Sequence, residues 1–175
     1  MREEAISLVA YDPVWPRMFL EEREQLQTLV GHWLAGPIEH IGSTAVPGLT
    51  AKPVIDIMAG VRDLASSSGA RAAAASLGYE YFPYRPDVMH WFCKPSPERR
   101  THHLHLVPVG SQLWVDRLVF RDYLRATPAA AAEYEALKID LAARYRQDRE
   151  AYTDAKGDFV QSILARARPC PEGSQ

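Results

Sequence analysis

Residues 38–58 read IEHIGSTAVPGLTAKPVIDIM and carry the most informative pattern in the chain. The pattern predicts a strand that ends at Gly42 and Ser43, a loop of small residues, and a second strand that carries one carboxylate, Asp56. A Gly-Ser turn after a strand offers backbone N–H groups and a hydroxyl to a phosphate. A carboxylate on a neighbouring strand can hold a metal ion against that phosphate. The stretch therefore indicates phosphoryl or nucleotidyl transfer.

Asp56 lies among apolar residues, so its charged carboxylate needs a partner. The carboxylate lies inside the run PVIDIM, residues 53–58, and a buried carboxylate must meet a metal ion, another cation or several N–H donors. We predict a metal-binding and catalytic role for Asp56, with a structural hydrogen bond to a turn as the alternative. Lys52 is predicted to contact phosphate as a point charge, or else to be a solvated loop lysine.

Two histidines on another predicted strand are candidate metal ligands. The segment HHLHLV, residues 102–107, alternates, so His103 and His105 share one face of the strand. Two imidazoles at this spacing can converge on one ion. The alternative is a pair of half-buried histidines that bond to their neighbours or to a phosphate. Glu39 and His40 are further candidates for the same cluster.

A basic stripe is predicted on the helix that follows. Arg117, Arg121 and Arg125 recur at every fourth position, which places them on one helical face. Arg117 and Arg121 are predicted to recognise a phosphate or carboxylate, whereas the alternative is a solvated stripe paired with nearby acids. Three aromatic residues could stack on a base, although such residues are more often part of a core: Tyr84, Trp91 and Trp114.

The composition is that of one soluble globular domain. Of 175 residues, 47% are hydrophobic and 24% are charged, which is enough apolar material for a core. We predict a single domain over residues 1–168, including helices at its C-terminal end, and a disordered tail over 169–175.

The net charge and the positions of the cysteines limit which partners and which cellular compartment we expect. The formal net charge is −2 and no long basic track is present, so nucleic acid is disfavoured as a substrate. Cys93 and Cys170 are far apart, which predicts reduced thiols in the cytoplasm. No run approaches the ~18 apolar residues of a membrane span. A small molecule or nucleotide is the predicted partner, and no oligomeric state is predicted.

Hydrophobic periodicity and turn residues predict a mixture of helices and strands. The predicted strands cover residues 5–11 at an edge, 38–42, 53–60, 79–82, 88–94 and 102–109. The predicted helices cover residues 15–33, 61–77, 112–126, 128–146 and 149–168. Thr127 is predicted to cap the helix that begins at Pro128. The expected fold is α+β, with a mixed sheet covered by helices and two or three C-terminal helices.

Five blocks in matching order resemble the GrpB family, and the resemblance covers nearly the whole chain. The blocks are YDPVWP at 11–16, residues 39–57, HLHL at 103–106, FRDYLR at 120–125 and YTDAK at 152–156. The fold of that family is similar to polymerase-beta-type nucleotidyltransferases, and a related domain forms the C-terminal part of some dephospho-CoA kinases. The resemblance implies a nucleotidyltransferase-like mixed sheet flanked by helices, with C-terminal helices.

The chain departs from the superfamily pattern at one metal ligand. That pattern has a Gly-Ser turn, two carboxylates separated by one residue, and a third carboxylate on a neighbouring strand. Asp56 matches the second carboxylate, the first falls on Val54, and the third would lie on the strand of His103 and His105. Two-metal catalysis needs bridging carboxylates, so one aspartate and two imidazoles are expected to hold at most one ion well. Imidazole ligands suit Zn or Mn better than Mg.

Residues and resemblance together imply a metal-dependent nucleotidyltransferase-fold enzyme for a small or nucleotide-bearing substrate. Gly42, Ser43 and Lys52 would hold the phosphates of a nucleoside triphosphate. Asp56, His103 and His105 would hold a divalent Mg, Mn or Zn ion, and Arg117 or Arg121 would neutralise developing charge. The alternatives are a non-catalytic nucleotide- or metabolite-binding module that has lost part of the metal site, and one-ion hydrolysis of a phosphoester.

Overall fold

The computed structural model describes residues 5–168, which form a five-stranded mixed sheet with flanking helices. The strands are β1 Leu34–Ile41, β2 Ile55–Val61, β3 Glu80–Phe82, β4 His90–Pro95 and β5 Arg100–Pro108. The helices are α1 Trp15–Val30, α2 Ala70–Ala75, α3 Gln112–Ala126, α4 Pro128–Arg144, α5 Arg149–Asp154 and α6 Gly157–Ala167. The predicted mixed sheet flanked by helices, with helices at the C-terminal end, is confirmed. The predicted tail over 169–175 lies outside the described residues.

The order of the strands places the two candidate site strands side by side. The order is β1-β2-β5-β4-β3, and β2 runs parallel to β5, whereas the other neighbours are antiparallel. In the parallel register Asp56 lies opposite His103, and Met58 lies opposite His105. Because side chains alternate along a strand, these four residues share one face of the sheet.

Each face of the sheet packs against a different set of helices. The face opposite Asp56 packs on α1 and α2, where the buried stripe of α1 contributes Phe19 and Leu26 to the main core. The face of Asp56 carries a smaller core in which Met58, Trp91 and Trp114 pack together, and α3 covers it. The second face is therefore only partly covered, and the site residues lie beside this smaller core.

The C-terminal helices pack against the loop between β1 and β2. Val46 and Leu49 of this loop pack with Leu124 of α3, Tyr134 of α4 and Ile163 of α6. Burial of these apolar side chains fixes the loop against the helices. No helix within residues 5–168 has the length and apolarity to cross a membrane.

The predicted helix over 61–77 is wrong for most of its length. Strand β2 continues through Val61, residues 62–69 form turns, and only Ala70–Ala75 is α-helical. The side chain of Asp63 accepts hydrogen bonds from the backbone N–H of Ser66 at 2.7 Å and from its hydroxyl at 2.8 Å. Such local side-chain bonds compete with helix formation, so the serine-rich segment turns instead.

Other elements also differ from the predictions, and β1 begins at Leu34 rather than at residue 38. The predicted edge strand over 5–11 is a single bridge between Val9 and Ala51, and the predicted helix over 149–168 is divided between α5 and α6. Helix α4 begins at Pro128 with Thr127 at the N-cap position, as predicted, although the side chain of Thr127 makes no capping hydrogen bond. Ser111 instead caps α3, through a bond from the N–H of Trp114 at 3.3 Å.

Candidate functional site

Asp56 and two histidines form a compact cluster at the adjoining strands β2 and β5. Oδ1 of Asp56 accepts a hydrogen bond from Nδ1 of His103 at 2.8 Å and lies 3.6 Å from Nε2 of His105. One candidate ligand atom from each of the three residues lies within 4.8 Å of those of the other two. The side chain of Asp56 is 29% exposed and those of the histidines are more buried. The cluster therefore has a partly exposed carboxylate held against two largely buried imidazoles.

The imidazoles of this cluster have unused buried nitrogen atoms. Within residues 5–168, Nε2 of His103 and both ring nitrogens of His105 are buried and lack a hydrogen-bond partner. An unsatisfied buried polar atom costs about 1–3 kcal/mol, and such atoms call for an explanation in a native structure. A metal ion beside Asp56 would explain Nε2 of His105, which faces that carboxylate at 3.6 Å, because a neutral imidazole nitrogen is a common metal ligand.

The electrostatics of the cluster favour an ionised carboxylate beside neutral imidazole. Burial opposes ionisation of Asp56, but the contacts with His103 and His105 outweigh it and hold the pKa of Asp56 well below its usual range. Burial, followed by the nearby charge of Arg117, lowers the pKa of His105 to about 3. At neutral pH His105 is therefore uncharged, which is the state in which imidazole binds a metal ion.

Gly42 allows the Gly-Ser turn to approach the carboxylate. Its φ of 72° and ψ of −174° lie in a region that is essentially restricted to glycine. A Cβ atom built at Gly42 would lie 3.0 Å from Cβ of Asp56 and closer still to its carboxylate. The absence of a side chain here is therefore what leaves room for Asp56.

Replacing Gly42 by alanine is expected to lower the free energy of unfolding and to weaken metal binding together. Backbone strain alone accounts for about 1–3 kcal/mol, and the new methyl group displaces the Asp56 carboxylate. Urea unfolding and metal titration measure the two effects. Gly48→Ala is the matched control, because Gly48 also has a positive φ, of 79°, but its added Cβ meets nothing within 4 Å. Equal metal affinity in the two variants would contradict this explanation.

The loop after Gly42 is fixed by hydrogen bonds from both sides. Thr44 donates to the carbonyl of Val54 at 3.2 Å and bonds to Nε2 of His40 at 3.0 Å. From the helical side, Arg125 donates to the carbonyl of Ala45 at 2.9 Å. The position of the Gly-Ser turn therefore depends on both the sheet and the C-terminal helices.

Two residues of α4 also form hydrogen bonds with the loop that follows Gly42. Glu135 accepts from the N–H of Thr50 at 3.1 Å. Lys138 donates to Oγ of Ser43 at 3.2 Å and also to the carbonyl of Thr50. One helix thus contacts both ends of the loop that separates β1 from β2.

The site opens into a cavity of about 1310 Å³ that is large enough for a nucleotide. Its lining includes seven cationic side chains: Lys52, Arg85, Arg100, Arg117, Lys138, Arg149 and Lys156. Five carboxylate residues also line it: Asp56, Asp116, Asp148, Glu150 and Asp154. The cavity is therefore net positive although the chain has a formal charge of −2, and this local field attracts anions.

Most of the predicted site residues meet in this cavity. The residues of the predicted site that line it are Gly42, Ser43, Lys52, Asp56, His103, His105 and Arg117. Burial lowers the pKa of Arg117 to about 10, so its guanidinium remains cationic at neutral pH. Tyr84 and Trp91 also line the cavity, with ring centroids 6.1 Å apart. Trp91 and Trp114 both belong to the smaller core, and Trp114 does not line the cavity. The binding roles of these residues remain predictions.

Arg121 does not line the cavity with the other predicted phosphate ligands. Its guanidinium bonds to Oε2 of Glu39 at 2.6 Å and to Oδ1 of Asp122 at 2.8 Å. It also donates to the carbonyl of His40 at 3.0 Å. These contacts join α3 to β1, and they argue against direct contact between Arg121 and phosphate.

His40 lies on the opposite face of the sheet from Asp56. Its ring stacks on Phe19 of α1 with centroids 4.8 Å apart, and burial lowers its pKa to about 4. Glu39 is on the site face but is occupied by Arg121. The expectation that these two residues complete the metal cluster is therefore not supported by their positions.

Two lysines that line the cavity were not predicted as site residues from the sequence. Lys138 is only 2% exposed and lies in the buried stripe of α4 between Tyr134 and Leu141. A lysine at a core-facing helical position is the signal that could have identified it. Lys156 lies in the segment YTDAK that was noted only as part of the resemblance.

Comparison with known proteins gives consistent matches along the chain. The sequence model of a family described as GrpB protein matches residues 5–166. A UPF0157 protein of Pseudomonas aeruginosa is 40% identical over 170 residues, covering 94% of this chain and 69% of that protein. The Glutamate-rich protein GrpB of Alkalihalophilus pseudofirmus is 36% identical over 165 residues, covering 91% and 94% of the two chains.

A solved structure and a longer relative extend these matches. The crystal structure of conserved protein GrpB from Enterococcus faecalis superposes with a TM-score of 0.82 at 32% identity, covering 92% of this chain and 96% of that one. A dephospho-CoA kinase of Mycolicibacterium paratuberculosis is 30% identical over 187 residues. The match covers 93% of this chain but only 46% of the kinase.

Proposed function

The chain belongs to the GrpB family, and from this premise we propose that it is a metal-dependent nucleotidyltransferase that acts on a small or nucleotide-bearing substrate. One observation carries the proposal. Asp56, His103 and His105 converge beside the Gly42–Ser43 turn, at the wall of a cationic cavity. A metal-ligand set next to an anion-binding turn is the arrangement that phosphoryl chemistry requires.

The residues present fit one divalent ion. Nδ1 of His103 and Nε2 of His105 face the same oxygen of Asp56. Nε2 of His105 is buried and has no hydrogen-bond partner within residues 5–168, which supports a ligand role for this atom. Two imidazoles and one carboxylate favour Mn or Zn over Mg. When bound, the ion would supply a Lewis acid that polarises a phosphoryl oxygen.

The chain's own residues would bind and orient the phosphates. Gly42 allows close approach of backbone to the Asp56 carboxylate, and the hydroxyl of Ser43 is fixed by Lys138 at 3.2 Å. Lys52 and Arg117 line the same cavity and would neutralise negative charge on the transferring group. Orientation of the substrate in this way lowers the barrier by reducing the entropy lost in the reaction.

The rival function is a nucleotide- or metabolite-binding module without catalysis, and Val54 favours it. Val54 is 5% exposed and occupies the position of the first metal carboxylate in the family resemblance. A valine cannot bridge two ions, so the two-ion arrangement of Mg-dependent transfer is not available to these residues. The rival function keeps the cavity and needs no metal for binding.

Calorimetry combined with product analysis separates the candidate functions. ATP, CTP, GTP and UTP are titrated into the protein with Mg²⁺, Mn²⁺ or Zn²⁺ and again with EDTA, and each mixture is then assayed for pyrophosphate and inorganic phosphate. The proposal expects metal-dependent binding of at least one triphosphate and release of pyrophosphate.

Each other outcome of this experiment identifies a different function. Release of inorganic phosphate alone would indicate hydrolysis of a phosphoester instead of nucleotidyl transfer. Binding that is equal with metal and with EDTA, without turnover, would support the binding module. An absence of binding to all four nucleotides under every condition would reject a nucleotide substrate.

A further inference from the structure

The use of lysine in this chain is unusually selective. The chain has four lysines and sixteen arginines. Lys94 pairs with Glu22 at 2.6 Å between the sheet and α1, and the other three lysines, Lys52, Lys138 and Lys156, all line the cavity. Of the lysines and arginines within residues 5–168, only arginines are exposed, so the three lysines of the cavity need an explanation of their own.

Lys138 is buried, and no carboxylate within residues 5–168 accepts a hydrogen bond from it. Its ammonium group donates to Oγ of Ser43 and to the carbonyl of Thr50, and it lies 4.9 Å from the ring centroid of Tyr134. These contacts use two of its three N–H donors. Burial, followed by the charge of Lys156, lowers the pKa of Lys138 to about 7, although Glu135 opposes the change. A bound anion would compensate for this buried charge.

Lys156 approaches the same region from the junction of α5 and α6. Its Nζ lies 4.1 Å from the ring centroid of Tyr152. Burial lowers the pKa of Lys156 to about 8, with Asp56 opposing the change and Lys52 adding to it. Like charges that are brought together in a partly buried cavity repel each other, so this group of lysines is more favourable with an anion than without one.

We propose that Lys52, Lys138 and Lys156, together with Ser43, form a polyphosphate-binding subsite that takes up the terminal phosphates of the substrate without help from the metal ion. This inference rests on the proposed function, because it names the part of the substrate that the second half of the site binds. Three compact ammonium groups and a hydroxyl match the many oxygens of a flexible phosphate chain. The Asp56 cluster then remains for the phosphate at which reaction occurs.

Titration of inorganic triphosphate in EDTA tests the subsite without the metal centre. We expect the wild-type chain to bind triphosphate, and Lys138→Met and Lys156→Met each to weaken binding about tenfold or more, because a charge-assisted hydrogen bond is lost. Arg17→Met is the matched control for loss of one positive charge. Arg17 is 73% exposed, lies outside the cavity lining, and should leave the affinity within about twofold of wild type.

Asp56→Asn separates this inference from the proposed function. The variant lacks the metal carboxylate, yet it should bind triphosphate in EDTA at least as tightly as wild type, because a repelling charge has been removed. Failure of the wild-type chain to bind triphosphate in EDTA, or equal binding by the wild type and both lysine variants, would overturn the subsite. Neither result would argue against metal-dependent binding of a nucleotide, and it is this binding that tests the proposed function.

Nuclear magnetic resonance gives a second measurement, which uses the wild-type chain and so does not depend on whether a variant folds. Biosynthetic labelling with ¹³C-lysine gives a separate side-chain signal for each of the four lysines without changing their ammonium groups. Addition of triphosphate should raise the pKa of Lys138 and Lys156 and leave the signal of Lys94 in place. Unchanged titration of all these signals would contradict direct contact with the anion.

Discussion

Asp56→Asn is expected to abolish binding of Mn²⁺ and Zn²⁺, with a dissociation constant weakened about 100-fold or more. Asparagine keeps the shape of the side chain but removes the charge that both imidazoles face at 2.8 and 3.6 Å. The two remaining histidines would provide two neutral ligands and no charge to offset that of the ion.

Calorimetric titration of each ion into the wild-type and variant chains measures this loss. Asp140→Asn is the matched control, because Asp140 is an exposed residue of α4 that pairs with Arg144 at 2.9 Å. It should bind both ions with wild-type affinity. Equal metal affinity in the wild type and in Asp56→Asn would place any metal site elsewhere in the chain.

Glu22→Met is expected to produce the largest loss of stability, about 3–5 kcal/mol in the free energy of unfolding. Both oxygens of Glu22 bond to Nζ of Lys94, at 2.6 and 2.7 Å, and the side chains are only 5% and 19% exposed. Removal of one partner leaves the other as an uncompensated charge at the interface of α1 with the sheet. Lys94 also lies 5.1 Å from the ring centroid of Tyr79, so it cannot leave without disturbing the core.

Urea unfolding of single and double variants measures this coupling. Replacement of Glu22 and Lys94 together by methionine should recover most of the stability, because no unpaired charge remains. Glu21→Gln is the control, because the pair of Glu21 with Arg17 is exposed at the surface of the same helix and should change stability by less than about 0.5 kcal/mol. A similarly small effect for Glu22→Met would show that the buried pair contributes little.

The sequence was sufficient for those parts of the site that depend on local pattern. Alternation along residues 102–107 correctly placed His103 and His105 on one face, and the Gly-Ser turn was correctly placed beside Asp56. The adjacency of β2 and β5 was implied by the family resemblance, because apolar patterning shows that a strand is buried but not which strand lies beside it. The general fold followed from the same periodicity.

Other features depend on contacts between distant parts of the chain. The bond of Lys138 with Ser43 spans 95 positions, and that of Arg121 with Glu39 spans 82. No local pattern distinguishes a stripe of arginines that binds phosphate from one that pairs with a remote carboxylate. The failed helix over 61–77 has a local cause instead, since serine and aspartate side chains there bond to the backbone more readily than the helix forms.

Anomalous X-ray diffraction from crystals grown with Mn²⁺ and a non-hydrolysable ATP analogue tests the central claim most directly. The proposed site predicts a single strong anomalous peak within bonding distance of Asp56, His103 and His105, with the phosphates of the analogue extending past Ser43. An anomalous map without a peak at these three residues, in crystals where the analogue occupies the cavity, would contradict a metal-dependent function for this site.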